Sequence, residues 1–99
     1  MSKSLSKIRQ SAKGEDCQVR IPDVCNFNPE TTIFAHKGGA GMGRKASDIH
    51  GAYCCSSCHD VIDGRVSSRY LKDAVELMFY DGILRTQLIL IEKGLIILK

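Results

Sequence analysis

The chain opens without a long apolar run: MSKSLSKIRQSAKGED is polar and basic, and the strongly apolar stretches lie near the other end and carry charges. That absence argues against a signal peptide and a membrane span, and it predicts a cytoplasmic protein in a reducing compartment. There is no internal repeat and no low-complexity segment, which excludes a solenoid or a long linker. Tryptophan is absent and aromatic residues make up 6 % of the chain. No interleaved aromatic series is present on which single-stranded bases would stack, and no segment dense in Asn, Gln and Arg suits a base-reading helix. The glycine run GGAGMGRK is not followed by the Lys-Ser/Thr pair of a nucleotide-binding P-loop.

What is present is concentrated. Residues 34–63 hold all three histidines, three of the five cysteines and most of the nine glycines. A chain of 99 residues makes one domain with a modest core, and a modest core invites a staple. Fourteen Lys and Arg against eleven Asp and Glu leave a net charge of +3, a mild bias toward polyanions. Composition divides the chain in three. Residues 1–14 read as a frayed or weakly helical basic arm, anchored by little beyond Leu5 and Ile8. Within the remaining unit, residues 15–99, the part from 15 to 65 is rich in Gly, Cys, Asp and Asn. Its apolar runs QVRI, TTIFAH and GAYCC suit short strands. Beyond Arg65, Leu71, Val75, Met78, Leu84, Leu88 and Ile91 recur at helical spacing, predicting a helix over about 68–92 capped by Ser67 or Ser68. Gly82 inside it marks a break or a close contact, and GLIILK offers a short strand.

Cys55 and Cys58 are spaced C-x2-C, so two thiolates reach one ion from a tight turn. Cys17 and Cys25 supply two further corners of a tetrahedron. Four thiolates close the site, leaving no position for substrate, so the expected role of such a zinc ion is folding. Two buried free thiols are the alternative, and His59 in place of one thiolate is another. Cys54, the fifth cysteine, is expected to pack rather than bind.

His36, Asp48, His50, His59 and Asp63 then need another account. His59 and Asp63, four apart on a helix starting at Cys58, project from one face and suit a shared divalent ion. His36 follows TIFA and precedes the glycine-rich, cationic loop, so it is expected to end a strand. This ordered set resembles the HNH nuclease motif, the ββα-metal finger. More closely, CQVRIPDVCNFNPETT running on to AHKGGAGMGRKASD and CCSSCHDVIDGR resembles the YbcO-like family of small prophage proteins over residues 15–93.

The resemblance implies an α+β fold: a small zinc-stapled ββα-metal domain, HNH- or treble-clef-like, with a long C-terminal helix. It implies a DNA endonuclease in which His36 is the general base, Asp48 stands near the central Asn of the motif, and His59 and Asp63 hold a catalytic Mg²⁺ or Mn²⁺, with Zn²⁺ as an alternative. Cys17, Cys25, Cys55 and Cys58 would hold structural zinc. Phage recombination or replication is the context it implies. In most HNH proteins an Asp or His directly precedes the general base and ligates the ion; here that residue is Ala35. Asp48 suits the orientation of the His36 imidazole, with His50 in reserve for that task or as a third ligand. Lys37, Arg44, Lys45 and Arg65 are the expected contacts to the DNA backbone, which charge and shape rather than sequence would select. A non-catalytic zinc-finger module and a zinc-stapled protein-interaction domain are the competing readings. A homodimer through the C-terminal helix belongs with the surplus of apolar residues there.

Overall fold

The computed structural model describes residues 3–37 and 50–96, with side chains from Lys7 onward. Helix α1 spans Lys3–Ser11, strand β1 Ile33–His36, strand β2 Gly51–Cys54, helix α2 Ser56–Ile62 and helix α3 Lys72–Glu92; a 3-10 turn at Pro29–Thr31 precedes β1. The strands pair antiparallel, Ile33 with Cys54, Phe34 with Tyr53, Ala35 with Ala52 and His36 with Gly51. Because side chains alternate along a strand, this ribbon serves two cores. Ala35, Ala52 and Cys54 face one with Val61, Val75 and Phe79; Phe34 and Tyr53 face the other with Ile8, Ala12 and Leu90.

The expected weak N-terminal arm is instead docked, with Ile8 and Ala12 buried. Ser11 Oγ donates to the Ile8 carbonyl at 2.6 Å, and the Tyr53 hydroxyl meets Ser11 Oγ at 2.8 Å. Apolar area and a shared hydroxyl pair therefore hold a segment whose sequence is mostly polar. Of the three expected strands, TTIFAH and GAYCC contribute β1 and β2, while QVRI forms a bend joined to β2 by the Gln18 N–H, which donates to the Tyr53 carbonyl at 2.8 Å. Arg20 and Asp23 adopt positive φ, 53° and 65°, so the backbone there turns instead of extending. Residues 94–96 form a turn and bend that return to the Leu90 carbonyl, and the rest of the expected GLIILK strand, residues 97–99, lies outside the described residues.

Helix α3 begins at Lys72, later than expected. Its N-cap is Leu71, which makes no side-chain cap bond, and Ser68 Oγ accepts the Tyr70 N–H at 3.2 Å instead. The helix runs unbroken through Gly82, whose role is close approach: a Cβ there would lie 2.8 Å from Val19 Cγ2 and 3.0 Å from Val19 Cα. Thr86, fully buried, completes this contact. It donates to the Gly82 carbonyl at 2.8 Å and accepts the Tyr53 N–H at 3.0 Å. No helix among the described residues is long and apolar enough to cross a membrane.

Candidate functional site

Two constellations stand out, one closed and one open. In the closed one, the sulfurs of Cys17, Cys25, Cys55 and Cys58 all lie within 4.8 Å of one another. The Cys25 and Cys55 sulfurs are 3.8 Å apart. A tetrahedral ion with metal–sulfur bonds of ~2.3 Å has sulfur–sulfur edges of ~3.8 Å, so the donor set and spacing suit a metal ion of the zinc type. The backbone is built for it. Cys55 caps α2 with its sulfur accepting the Cys58 N–H at 3.4 Å, and Cys17 accepts the Arg20 N–H at 3.4 Å. Four cysteines that can hold a metal ion thus tie the loop after α1 to the start of α2. His59 is not among them.

Cys54 is fully buried against this cluster. Hydrogen bonding to the Cys17 sulfur pushes its thiol far above the ordinary range, and the reciprocal bond from Cys54 pulls Cys17 far below it. Hydrogen bonding to Cys17 also raises Cys58, and burial raises Cys25 to about 11. Without metal the cluster retains protons on Cys25 and Cys58, so loading must release them.

The open constellation is a cleft of about 730 Å³ between the end of β1, the end of α2 and the first turns of α3. His36, the last residue of β1, and Asp63, the C-cap of α2, both line it. The His36 ring stands edge-on to Phe34, with centroids 5.1 Å apart, which fixes its plane from the core side. Lys37 also lines the cleft, its Nζ 5.5 Å from the Tyr80 ring centroid. His59 Nε2 lies 3.3 Å from Asp63 Oδ2, as their i, i+4 spacing requires, but His59 does not line the cleft. α2 ends with Gly64 at φ +80° and Arg65 N–H returning to the Asp60 carbonyl at 2.9 Å. That reversal carries the Arg65 guanidinium back across the helix end, to Asp63 Oδ2 at 3.1 Å and Asp60 Oδ1 at 3.2 Å. Asp63 Oδ2 therefore serves an imidazole and a guanidinium at once.

Among the described residues the cysteine quartet is the one group of three or more His, Cys, Asp and Glu within metal-binding reach, so His59 and Asp63 form a pair without a third ligand. An imidazole nitrogen and a carboxylate oxygen 3.3 Å apart suit adjacent positions around one divalent ion, with donors at ~2.1 Å. His50 is exposed at the entrance to β2, where its carbonyl accepts the Lys37 N–H at 2.7 Å. Asp48, Arg44 and Lys45 lie outside the described residues. Sequence reasoning missed the contribution of α3 and the segment before it: Ser67, Ser68, Tyr70, Lys72 and Glu76 line the same cleft. Their signal was weak, since polar residues ahead of a helix read as a cap.

A two-stranded ribbon and a short helix gathered around four cysteines, with a cleft lined by His36 and Asp63 beside a long C-terminal helix, define a small α+β domain whose cysteines can hold a metal ion. The family model described as "Putative nuclease YbcO" matches residues 6–95, and the chain belongs to this YbcO family. It is 42 % identical over 98 residues to "Putative nuclease YbcO" of Escherichia coli (strain K12), covering 93 % of this chain and 98 % of that protein. The protein named "Putative nuclease ybcO" from Enterobacteria phage 82 matches equally, at 42 % identity with the same coverage. A solved structure described as "a putative bacteriophage protein from Escherichia coli str. K-12 substr. MG1655" superposes with a TM-score of 0.75 at 41 % identity, covering 89 % of this chain and all of that one.

Proposed function

We propose that this protein is a metal-dependent DNA endonuclease of HNH type, with His36 as general base and His59 and Asp63 as ligands of a divalent ion. The observation that carries this reading is the convergence of His36 from β1 and Asp63 from α2 on one cleft. The order β1, β2, α2 agrees with it, as do the nuclease names of the relatives.

In this mechanism the imidazole of His36 takes the proton of a water. The resulting hydroxide attacks phosphorus in line with the departing 3′ oxygen. Phe34 holds the ring edge-on, so the imidazole needs little reorganisation. Asp48, with His50 in reserve, orients it through Nδ1–H. Bound Mg²⁺ or Mn²⁺ would neutralise charge developing on the phosphoryl group and the leaving oxygen. Lys37, at the cleft, and Arg44, Lys45 and Arg65 hold the phosphate backbone without reading bases. The cysteine quartet holds structural zinc and takes no part in the reaction.

The test is nicking of supercoiled plasmid in Mg²⁺ or Mn²⁺. His36→Ala lowers the rate by about 10²- to 10⁴-fold while DNA retention in a gel-shift assay is unchanged. Retention without nicking in either metal by the unaltered protein would leave a DNA-binding module in place of an enzyme.

A further inference from the structure

Helix α3 is apolar on two faces. One face, with Val75, Phe79, Ile83 and Leu90, is buried on the core. Opposite to it Leu77 is 65 % exposed, Tyr80 45 %, Leu84 60 % and Leu88 64 %. At ~100° per residue these four and the half-buried Ile91 fall within about 40° of one line along the helix. The series is symmetric in sequence. Tyr80 and Leu88 stand four residues either side of Leu84, and Leu77 and Ile91 stand seven either side.

We propose that this face pairs antiparallel with α3 of a second copy, about a twofold axis at Leu84. An isologous contact requires a patch that is its own complement, and an antiparallel register about Leu84 sets apolar against apolar along the stripe between 77 and 91: 77 on 91, 80 on 88, 84 on 84. The charges agree. Asp81 and Arg85 are exposed on the same flank of the stripe. In this register Asp81 lies about 3 Å along the axis from Arg85 of the second copy, twice by symmetry. Arg85 gives one Nη1–H to the Gln18 carbonyl at 2.6 Å, and its other donors serve the ion pair. With so few apolar side chains the contact falls near the ~1,200 Å² lower end of specific interfaces, where weak, concentration-dependent association is expected.

The arrangement has a geometric result. The cleft residues Lys72 and Glu76 lie on the other flank of the stripe, and a twofold axis perpendicular to α3 keeps equivalent flanks on one side of the dimer. Glu76 and Lys72 are eight and twelve residues from the axis, so the two clefts sit about 24–36 Å apart along the helices. One turn of duplex DNA is about 34–36 Å, so both clefts can address one duplex from one side. This last step rests on the nuclease reading; the dimer does not.

Sedimentation across the micromolar range tests the dimer on the full chain. Monomer and dimer exchange with concentration, and Leu84→Glu, placing two carboxylates at the axis, weakens the dimer at least ~10-fold while circular dichroism and metal content are unchanged. Photocrosslinking in the otherwise native chain tests the register independently of that variant. Leu77→p-benzoylphenylalanine captures the peptide holding Ile91 of the second copy. Sedimentation as monomer throughout, or capture of the second copy's own position 77 peptide, overturns the proposal. The nuclease reading stands or falls separately, by plasmid nicking with His36→Ala.

Discussion

At the scale of the residue, the sharpest feature is one oxygen with two claimants. Asp63 Oδ2 lies 3.3 Å from His59 Nε2 and 3.1 Å from Arg65 Nη2. A divalent ion held by His59 and Asp63, as proposed, would compete with that guanidinium. The pair is partly exposed, Arg65 by 63 % and Asp63 by 37 %, so solvent screens it and its contribution is at most ~1 kcal/mol. Arg65→Ala should therefore tighten Mn²⁺ binding by about two- to fivefold in calorimetry, while weakening retention on DNA. Unchanged Mn²⁺ affinity would show that the ion does not use Asp63. The His59–Asp63 pair was legible because i, i+4 spacing alone brings two side chains together on a helix. Arg65 was legible only as a charge, because its direction depends on the left-handed turn at Gly64.

At the scale of the element, α3 shows how far periodicity reaches. Its presence and its end at residue 92 follow from sequence, but its facing does not. Leu71, Leu84 and Leu88 belong to the helical series and are exposed, while Phe79, Ile83 and Leu90 are buried. A helix apolar on two opposite faces gives no single phase to read. Its packing is fixed instead by Gly82 and Thr86, which let α3 approach Val19 and bond to β2. Gly82→Ala should lower stability, because a Cβ crowding Val19 and the Gln18 carbonyl costs about 1–3 kcal/mol, more than the ~1 kcal/mol that alanine gains within a helix. Thermal unfolding should shift downward by several degrees, at about 4–8 °C per kcal/mol. A rise would mean that the bend at residues 18–19 yields freely. The same limits explain α1. Its polar sequence reads as an arm, and only the tertiary meeting of Ile8, Ala12 and Ser11 with Tyr53 makes it part of the body.

At the scale of the whole molecule, a two-stranded ribbon cannot hold two cores by itself. The cysteine quartet completes the structure: Cys17, Cys55 and Cys58 are members of the larger core as well as candidate ligands. Structural zinc sites supply about 10–16 kcal/mol near pH 7, comparable to or above the ~5–15 kcal/mol net stability of an ordinary domain. Chelation, or Cys58→Ser, should abolish the near-ultraviolet dichroism of Tyr53 and release one metal equivalent; a native spectrum in metal-free protein would contradict this role. The dependence on pH has a definite sign. Cys25 is raised to about 11 and Cys58 is also raised, so each carries a proton before loading. Metal binding displaces those protons, and affinity falls as pH is lowered. This cluster was the most legible part of the site, since C-x2-C is a local geometry. The cleft was the least, because it is assembled from β1, α2 and α3, which no single stretch of sequence brings together.

The hydrogen bonds around Tyr53 have a consequence for the fate of the ribbon. Its N–H is taken by Thr86 and its carbonyl by Gln18, so at that point the outer side of β2 offers no open amide pair to a foreign strand. Fibril-like growth along β2 must first peel away both α3 and the bend after Cys17, and so begins from a largely unfolded chain rather than from the native one.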